Sequence, residues 1–185
     1  GLWQQLKSDL VEAPAKSVCR IDLCMDGYTP IHLGTGFVIG TNVNEQFVVM
    51  TNAHVIEGAI KNGWSEREGI DLACDFTRET VGISDRLFPL EAVYHIHPHY
   101  DLALVYLSRE QLESTGVYLT PLKIAKKFPD NTSELEVGVI GHPSFDSNRD
   151  PFPKYFGFGN EFGVKRFSPG LIRSIENRNW RSQDV

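Results

Sequence analysis

Short apolar runs alternate with polar, glycine- and asparagine-containing segments along the first 107 residues of the chain. The runs predict six strands, at residues 18–23, 36–39, 47–51, 70–76, 87–95 and 102–107. No helical pattern of about 10–15 residues lies between successive runs, which argues against a parallel sheet built from β-α-β units. The pattern therefore predicts an all-β fold, as an antiparallel barrel or sandwich.

The two flanks of this region follow other patterns. Apolar residues at helical spacing within residues 3–12 predict a short N-terminal helix, which we expect Pro14 to end. Beyond residue 108, clustered turn-forming residues predict a connector. Two further strands are predicted at residues 136–141 and 171–175, with a loop-like stretch at 142–170 between them.

The composition excludes several classes of protein. Of 185 residues, 41% are hydrophobic and 23% are charged, which is typical of a globular protein and not of a disordered chain. Lys and Arg number 18 against 24 Asp and Glu, and the net charge of −6 argues against nucleic-acid binding. No run of about 18 apolar residues is present, so no membrane-spanning helix is predicted. We therefore expect neither nucleic acid nor a membrane as a partner.

The three cysteines predict neither a disulfide framework nor a zinc site. Their odd number leaves at least one unpaired, which favours a reducing compartment, and we expect a cytoplasmic location. Cys19 and Cys24 lie five residues apart without a second pair of ligands, and together with Cys74 they are interpreted as core thiols. No metal and no cofactor is predicted.

Chemistry is indicated at His54 and Asp101, each of which stands beside an apolar run. His54 follows the run at residues 47–50 and a few small or polar residues, so it is predicted on a turn just past a rigid strand. Asp101 directly precedes the run at residues 102–107, where we expect a poorly solvated carboxylate. Such a carboxylate can accept the Nδ1–H of an imidazole and fix its tautomer, so that the imidazole can take a proton from a nucleophile.

Each of these residues alone also fits an ordinary structural role. A histidine at a strand end is more often structural than catalytic, and an aspartate before a strand is more often a turn former. Asp71 is a second candidate partner for His54, because Asp71-Leu-Ala-Cys74 repeats the start of Asp101-Leu-Ala-Leu104. Asp71 is only 17 residues from His54 and its apolar run is shorter, so Asp101 is favoured.

His95, His97 and His99 form a row shortly before Asp101. On a strand, such alternation would place the three side chains on one face, as in some metal sites. Pro98 interrupts the strand pattern, and Asp101 is the only carboxylate at a suitable spacing. A surface or barrel-edge row is therefore favoured, and a metal-binding β domain is the alternative.

Three segments together resemble the trypsin-like, chymotrypsin-fold serine peptidases, in particular the bacterial and intracellular members without disulfides. They are Gly34-Thr-Gly-Phe37, Thr51-Asn-Ala-His54 and Asp101-Leu-Ala-Leu104, in the family's order and with 47 residues from His54 to Asp101. The resemblance implies a double β-barrel, a polypeptide substrate, His54 as general base and Asp101 as its orienting partner. It divides the chain into an N-terminal helix (1–14), a first barrel (15–108), a connector (109–134) and a partial second barrel (135–185).

One element of the family's pattern has no counterpart in the sequence. The family's nucleophile lies in a Gly-x-Ser-Gly motif late in the second barrel, and none of the serines of this chain lies in such a motif. Two six-stranded barrels of about 100 residues each would also need a longer chain. We therefore expect the N-terminal part of a serine endopeptidase, inactive alone, whose serine belongs to a missing C-terminal segment that acts as its partner. The alternative is a non-catalytic interaction module, a pseudo-protease, on the same fold.

Overall fold

The computed structural model describes residues 8–77, 86–127, 135–143 and 163–172. Six of the strands in these ranges close into a barrel in the order β1-β2-β3-β6-β5-β4, and all neighbours are antiparallel. The last two strands form a separate antiparallel pair. In chain order the elements are α1 (Ser8–Lys16), β1 (Val18–Met25), β2 (Ile31–Thr41), β3 (Phe47–Thr51), α2 (Ala53–Lys61), β4 (Ile70–Asp75), β5 (Phe88–Ile96), β6 (Ala103–Leu107), α3 (Arg109–Ser114), β7 (Leu135–Gly141) and β8 (Arg166–Ile172).

The predicted all-β architecture is confirmed, and the barrel holds the core of the molecule. Along β3 and β6, every second side chain is buried, which is the burial pattern expected of strands that wall a closed barrel. Large side chains from β1, β3 and β6, such as Ile21, Val49 and Leu107, are fully buried. No helix in the described ranges is both long enough and apolar enough to cross a membrane.

Polar contacts anchor the β7–β8 pair to the barrel. The guanidinium of Arg20 on β1 donates through Nη1 to the carbonyl of Gly163 at 3.0 Å, and its Nε lies 2.6 Å from the buried carboxylate of Asp22. Lys165 donates from Nζ to the carbonyl of Phe76 at 2.7 Å. Arg20 and Asp22, which alternate with the core-facing side chains of β1, are therefore buried as well.

The predicted end of the N-terminal helix is wrong. Helix α1 continues past Pro14 to Lys16, and the N–H of Ser17 donates to the Pro14 carbonyl at 3.0 Å. A proline inside a helix removes one backbone hydrogen bond, to the residue four positions earlier, and here the helix ends within two residues of it. Residues 3–7 of the predicted helix lie outside the described part of the chain.

The predicted start of the last strand is also wrong. β8 begins at Arg166, inside the stretch predicted as a loop, and Pro169 pairs with Gly138 on β7. In the described pair of strands, each strand has an edge without a partner, so a proline can be accommodated there. Residues 144–162 and 173–175, and the predicted polar end of the chain, lie outside the described ranges. The incomplete second barrel and the domain boundaries therefore stay predictions.

Helix α2 packs against β2 at a glycine of the first motif. A side-chain carbon added to Gly34 would lie 2.7 Å from Cγ2 of Val55, which is buried on α2. A valine is stiff and branched at Cβ, so its methyl groups cannot swing away from such a contact. A glycine at position 34 is therefore what lets the helix that carries His54 approach the barrel.

We expect Gly34→Ala to lower the free energy of unfolding by about 1–3 kcal/mol, the usual cost of overpacking a filled site. Urea denaturation of the wild type and of the Gly34→Ala variant would measure this loss. The matched control is Gly58→Ala on α2, where an added carbon meets nothing within 4 Å and where alanine gains up to about 1 kcal/mol of helix propensity. Equal stability of the two variants would contradict the packing role of Gly34.

Candidate functional site

The pairing of β3 with β6 brings His54 and Asp101 together. Thr51, the last residue of β3, pairs with Ala103, the first residue of β6, in antiparallel register. The residues that follow β3 therefore lie beside those that precede β6. Thr51 is also fixed by a hydrogen bond from its Oγ1 to the Thr35 carbonyl at 2.9 Å. A separation of 47 residues along the chain thus becomes a direct contact across one end of the barrel.

His54 is the second residue of α2, which corrects its predicted place on a turn. The helix buries Ala53, Val55, Ile56 and Ala59 against the barrel. His54 points away from that face, and 67% of its side chain is exposed. The buried helix face therefore holds the backbone of His54 rigidly while the imidazole stays accessible to solvent.

Asp101 accepts hydrogen bonds from both the backbone and the ring of His54. The backbone N–H of His54 donates to Oδ1 at 2.9 Å, and Nδ1 of the ring lies 2.7 Å from Oδ2. Asp101 therefore satisfies one of the free N–H groups at the start of α2, where the helix dipole also favours a negative charge. With 51% of its side chain exposed, Asp101 is not the poorly solvated carboxylate that was predicted, because it lies in the loop before β6 and not in the barrel wall.

Asn52 is a part of this site whose role sequence reasoning missed. It is the N-cap residue of α2, yet its side chain makes no capping hydrogen bond. Its Nδ2 donates instead to Oδ2 of Asp101 at 3.1 Å and to the Asp101 carbonyl at 3.2 Å. Asparagine before a helix predicts an N-cap residue. The structure shows instead that Asn52 donates to the Asp101 carboxylate, and that Asp101 accepts the backbone N–H at the start of the helix.

These contacts fix the tautomer of the His54 ring. An ionised carboxylate has no hydrogen to donate, so the close contact with Oδ2 requires the hydrogen on Nδ1 of His54. In the neutral ring Nε2 is then unprotonated and able to accept a proton. The arrangement can therefore act as a general base whose orientation is set by a carboxylate.

The surroundings of Asp101 hold its pKa below the ordinary value of an aspartate. The largest cause is the hydrogen bond from the backbone N–H of His54, and partial desolvation works against it. The ring of His54 lowers the pKa further through its hydrogen bond and its charge, and Asn52 adds a smaller contribution. The carboxylate is therefore ionised over the whole pH range in which a histidine can act as a base.

We expect the carboxyl ¹³C resonance of Asp101 to titrate below the ordinary aspartate range in an NMR pH titration. In His54→Ala the backbone N–H remains, so the pKa of Asp101 should rise only part of the way back. Because this pKa is lower in the folded chain than in the unfolded chain, ionised Asp101 stabilises the fold above the unfolded pKa, and this contribution is lost as the pH falls through the folded pKa. A complete return to the ordinary value in His54→Ala would contradict the dominant role of the backbone bond.

The other candidate residues lie elsewhere in the described structure. Asp71 is on β4, paired with Cys24 on β1, and is not among the hydrogen-bond partners of His54. Burial, followed by the charges of Asp22 and Asp71, raises the pKa of the Cys24 thiol to about 11, which makes it a poor nucleophile at neutral pH. Ser168 lies on β8, paired with Val139.

The histidine row is split between a strand and a loop. His95 lies on β5, and His97 and His99 follow in the loop, with neighbouring rings 6.1 and 6.2 Å apart in edge-on arrangements. In the described ranges, no group of three or more His, Cys, Asp or Glu side chains has the geometry of a metal site.

A closed six-stranded barrel with a histidine and an aspartate paired across one end is an arrangement typical of a chymotrypsin-like peptidase. The sequence matches a family model described as a trypsin-like peptidase domain over residues 34–185. This match covers most of the chain, and the chain therefore belongs to the trypsin-like peptidase domain family. A search of curated proteins finds no significant match.

Proposed function

We propose that this chain carries the general base and the orienting acid of a serine endopeptidase. The observation that supports this best is the double contact of Asp101 with the backbone N–H and the ring Nδ1 of His54. Both contacts act on one residue, so they fix the position of the imidazole and also its tautomer. The imidazole also remains accessible, since 67% of the His54 side chain is exposed.

In the proposed reaction, His54 transfers protons in both directions. Its Nε2 takes the proton from a serine hydroxyl as the serine oxygen attacks the carbonyl carbon of the peptide bond. The imidazolium then gives that proton to the leaving amine, and water repeats the sequence to release the acyl group. Ionised Asp101 stabilises the imidazolium in each half and does not itself become protonated.

The proposal assigns the nucleophile to a serine outside these 185 residues. None of the serines of the chain lies in a Gly-x-Ser-Gly motif, which in this family supplies both the nucleophile and backbone N–H groups of the oxyanion hole. The one serine of β8, Ser168, has an exposed side chain and lies next to Pro169. A polypeptide substrate follows from the peptidase family, and the segment with the serine is the proposed partner.

The test is covalent labelling of the protein expressed from its full native reading frame. A fluorophosphonate probe should label one serine, and mass spectrometry should place that serine in a Gly-x-Ser-Gly motif outside the 185 residues. Labelling should be lost in His54→Ala, whereas a protein with His95→Ala, a change at an exposed residue of the histidine row, should label normally. A labelled serine within the 185 residues would show that the assignment of the nucleophile is wrong. A full-length protein that neither labels nor cleaves peptides would favour a non-catalytic interaction module.

A further inference from the structure

The loop between β5 and β6, residues 97–102, carries Asp101 and is folded around the side chain of His97. The backbone N–H of His97 donates to the Leu102 carbonyl at 2.9 Å, which closes the base of the loop. The N–H of Leu102 donates to the Tyr100 carbonyl at 2.7 Å, which forms a three-residue turn centred on Asp101. The backbone of Asp101 therefore follows the conformation of this loop.

The first half of the loop is held by a single ring nitrogen. Nδ1 of His97 accepts the backbone N–H of His99 at 3.1 Å and the backbone N–H of Tyr100 at 3.0 Å. Backbone amides can only donate, so Nδ1 of His97 must be unprotonated when these bonds form. The ring of Tyr100 packs on the same imidazole, with centroids 4.5 Å apart. Two backbone groups and one side chain thus converge on His97 directly before Asp101.

The same chain contains a second turn built in this way. Oδ1 of Asn42 accepts the backbone N–H of Asn44 and of Gln46, each at 2.9 Å, in the turn between β2 and β3. Such side-chain acceptors for nearby N–H groups are the usual task of Asn and Asp in turns. In His97, Nδ1 is as many bonds from the backbone as Oδ1 is in asparagine, and it performs the same task in the loop of Asp101.

We propose that His97 is a positioning residue for the His54–Asp101 pair, because the acceptor Nδ1 of His97 holds the loop that places the Asp101 carboxylate at the start of α2. The catalytic importance of this positioning rests on the function proposed above, whereas the positioning itself rests on the hydrogen bonds of His97. It also gives a role to the histidine row that needs no metal. His95 and His99 only flank the ring of His97, and the contribution of His99 to the turn is its backbone N–H.

The test is long-range ¹H–¹⁵N correlation NMR of the histidine rings in the protein expressed from its full native reading frame. In the wild type, the ¹⁵N shifts should show a protonated Nδ1 in His54 and an unprotonated Nδ1 in His97. In His97→Ala we expect His54 to lose its Nδ1–H form in favour of the Nε2–H tautomer that a free imidazole prefers. His97→Asn restores an acceptor at the same place and should keep the wild-type tautomer of His54. His99→Ala is the matched control, because it removes a neighbouring ring but keeps the backbone N–H.

The outcomes separate the role of His97 from the proposed function. Loss of the Nδ1–H form in His97→Ala, with retention in His97→Asn and His99→Ala, supports the positioning role. Retention in His97→Ala overturns it, and so does loss in both His97→Ala and His97→Asn, because the acceptor would then be irrelevant. If His97→Ala unfolds the barrel, the spectrum of His97→Asn alone is the test. Retention of the Nδ1–H form of His54 in that variant then supports the positioning role, and its loss overturns it. A wild-type chain without the His54 Nδ1–H form overturns both proposals, whereas a full-length protein with that form but no reactive serine contradicts only the peptidase function.

Discussion

We expect His54→Ala to lower the kcat of the full-length protein for peptide cleavage by about 10⁴-fold or more, since the members of a nucleophile–base–acid unit act together. The structure predicts that this loss is chemical and not a result of unfolding. The backbone N–H of residue 54 remains in the variant, so Asp101 still satisfies the start of α2. The KM should change little, because 67% of the His54 side chain is exposed and its removal therefore takes away little packing. Steady-state kinetics with a peptide substrate, together with thermal unfolding of both proteins, would measure the two effects separately.

The matched control for this loss is His95→Ala. His95 lies on β5 and is exposed, so its replacement also removes one imidazole from the barrel but leaves the contacts between His54 and Asp101 in place. The control should retain the kcat of the wild type. Activity in His54→Ala within tenfold of the wild type would mean that another group takes the proton, and the proposed role of His54 would then be wrong.

Most of the strands were predictable from the sequence because each contains a short apolar run bounded by polar or turn-forming residues. Residues 47–51 form β3 with the predicted bounds, since Asn52, the N-cap of the next helix, directly follows the strand. Helix α2 was not predicted, because Val55, Ile56 and Ile60 are branched at Cβ and Gly58 is a weak helix former. The helix is stabilised by the packing of four buried side chains on the barrel, and local helix propensities do not include this tertiary contribution.

The candidate site was predictable as a pair of residues but not as a geometry. The resemblance to the trypsin-like peptidases, in the order and spacing of His54 and Asp101, indicated that the two meet, and the Thr51–Ala103 register explains how they do. The brace from Asn52 depends on a contact between residues 49 positions apart, which no local motif encodes. The acceptor contacts of His97 were hidden for another reason, since the alternating histidines were interpreted as a surface or barrel-edge row, with a metal site as the alternative, and neither interpretation indicates a turn-forming acceptor.

We expect Asp101→Asn to lower kcat by about 10⁴-fold, a loss comparable to that from removal of the base. In the wild type, Oδ1 accepts the backbone N–H of His54, while Oδ2 accepts from Nδ1 of His54 and Nδ2 of Asn52. An asparagine has one oxygen and one NH₂ group, so either orientation of its amide places a donor against a donor. The orientation that keeps the helix start satisfied directs NH₂ at Nδ1, which favours the Nε2–H tautomer of His54 and so blocks the nitrogen that must accept the proton. Kinetics and ring ¹⁵N shifts of the same variant should therefore change together.

Asp71→Asn is the control that separates the two aspartates with the same Asp-Leu-Ala sequence. Asp71 is exposed on β4 and lies beside Cys24, so its replacement should leave both kcat and the tautomer of His54 unchanged. Loss of activity in Asp71→Asn with a normal Asp101→Asn would mean that Asp71, and not Asp101, orients the base. Loss of activity in Asp101→Asn without a change of tautomer would instead assign the effect to the missing charge. The two readouts together thus distinguish whether Asp101 acts by fixing the ring or by stabilising the imidazolium.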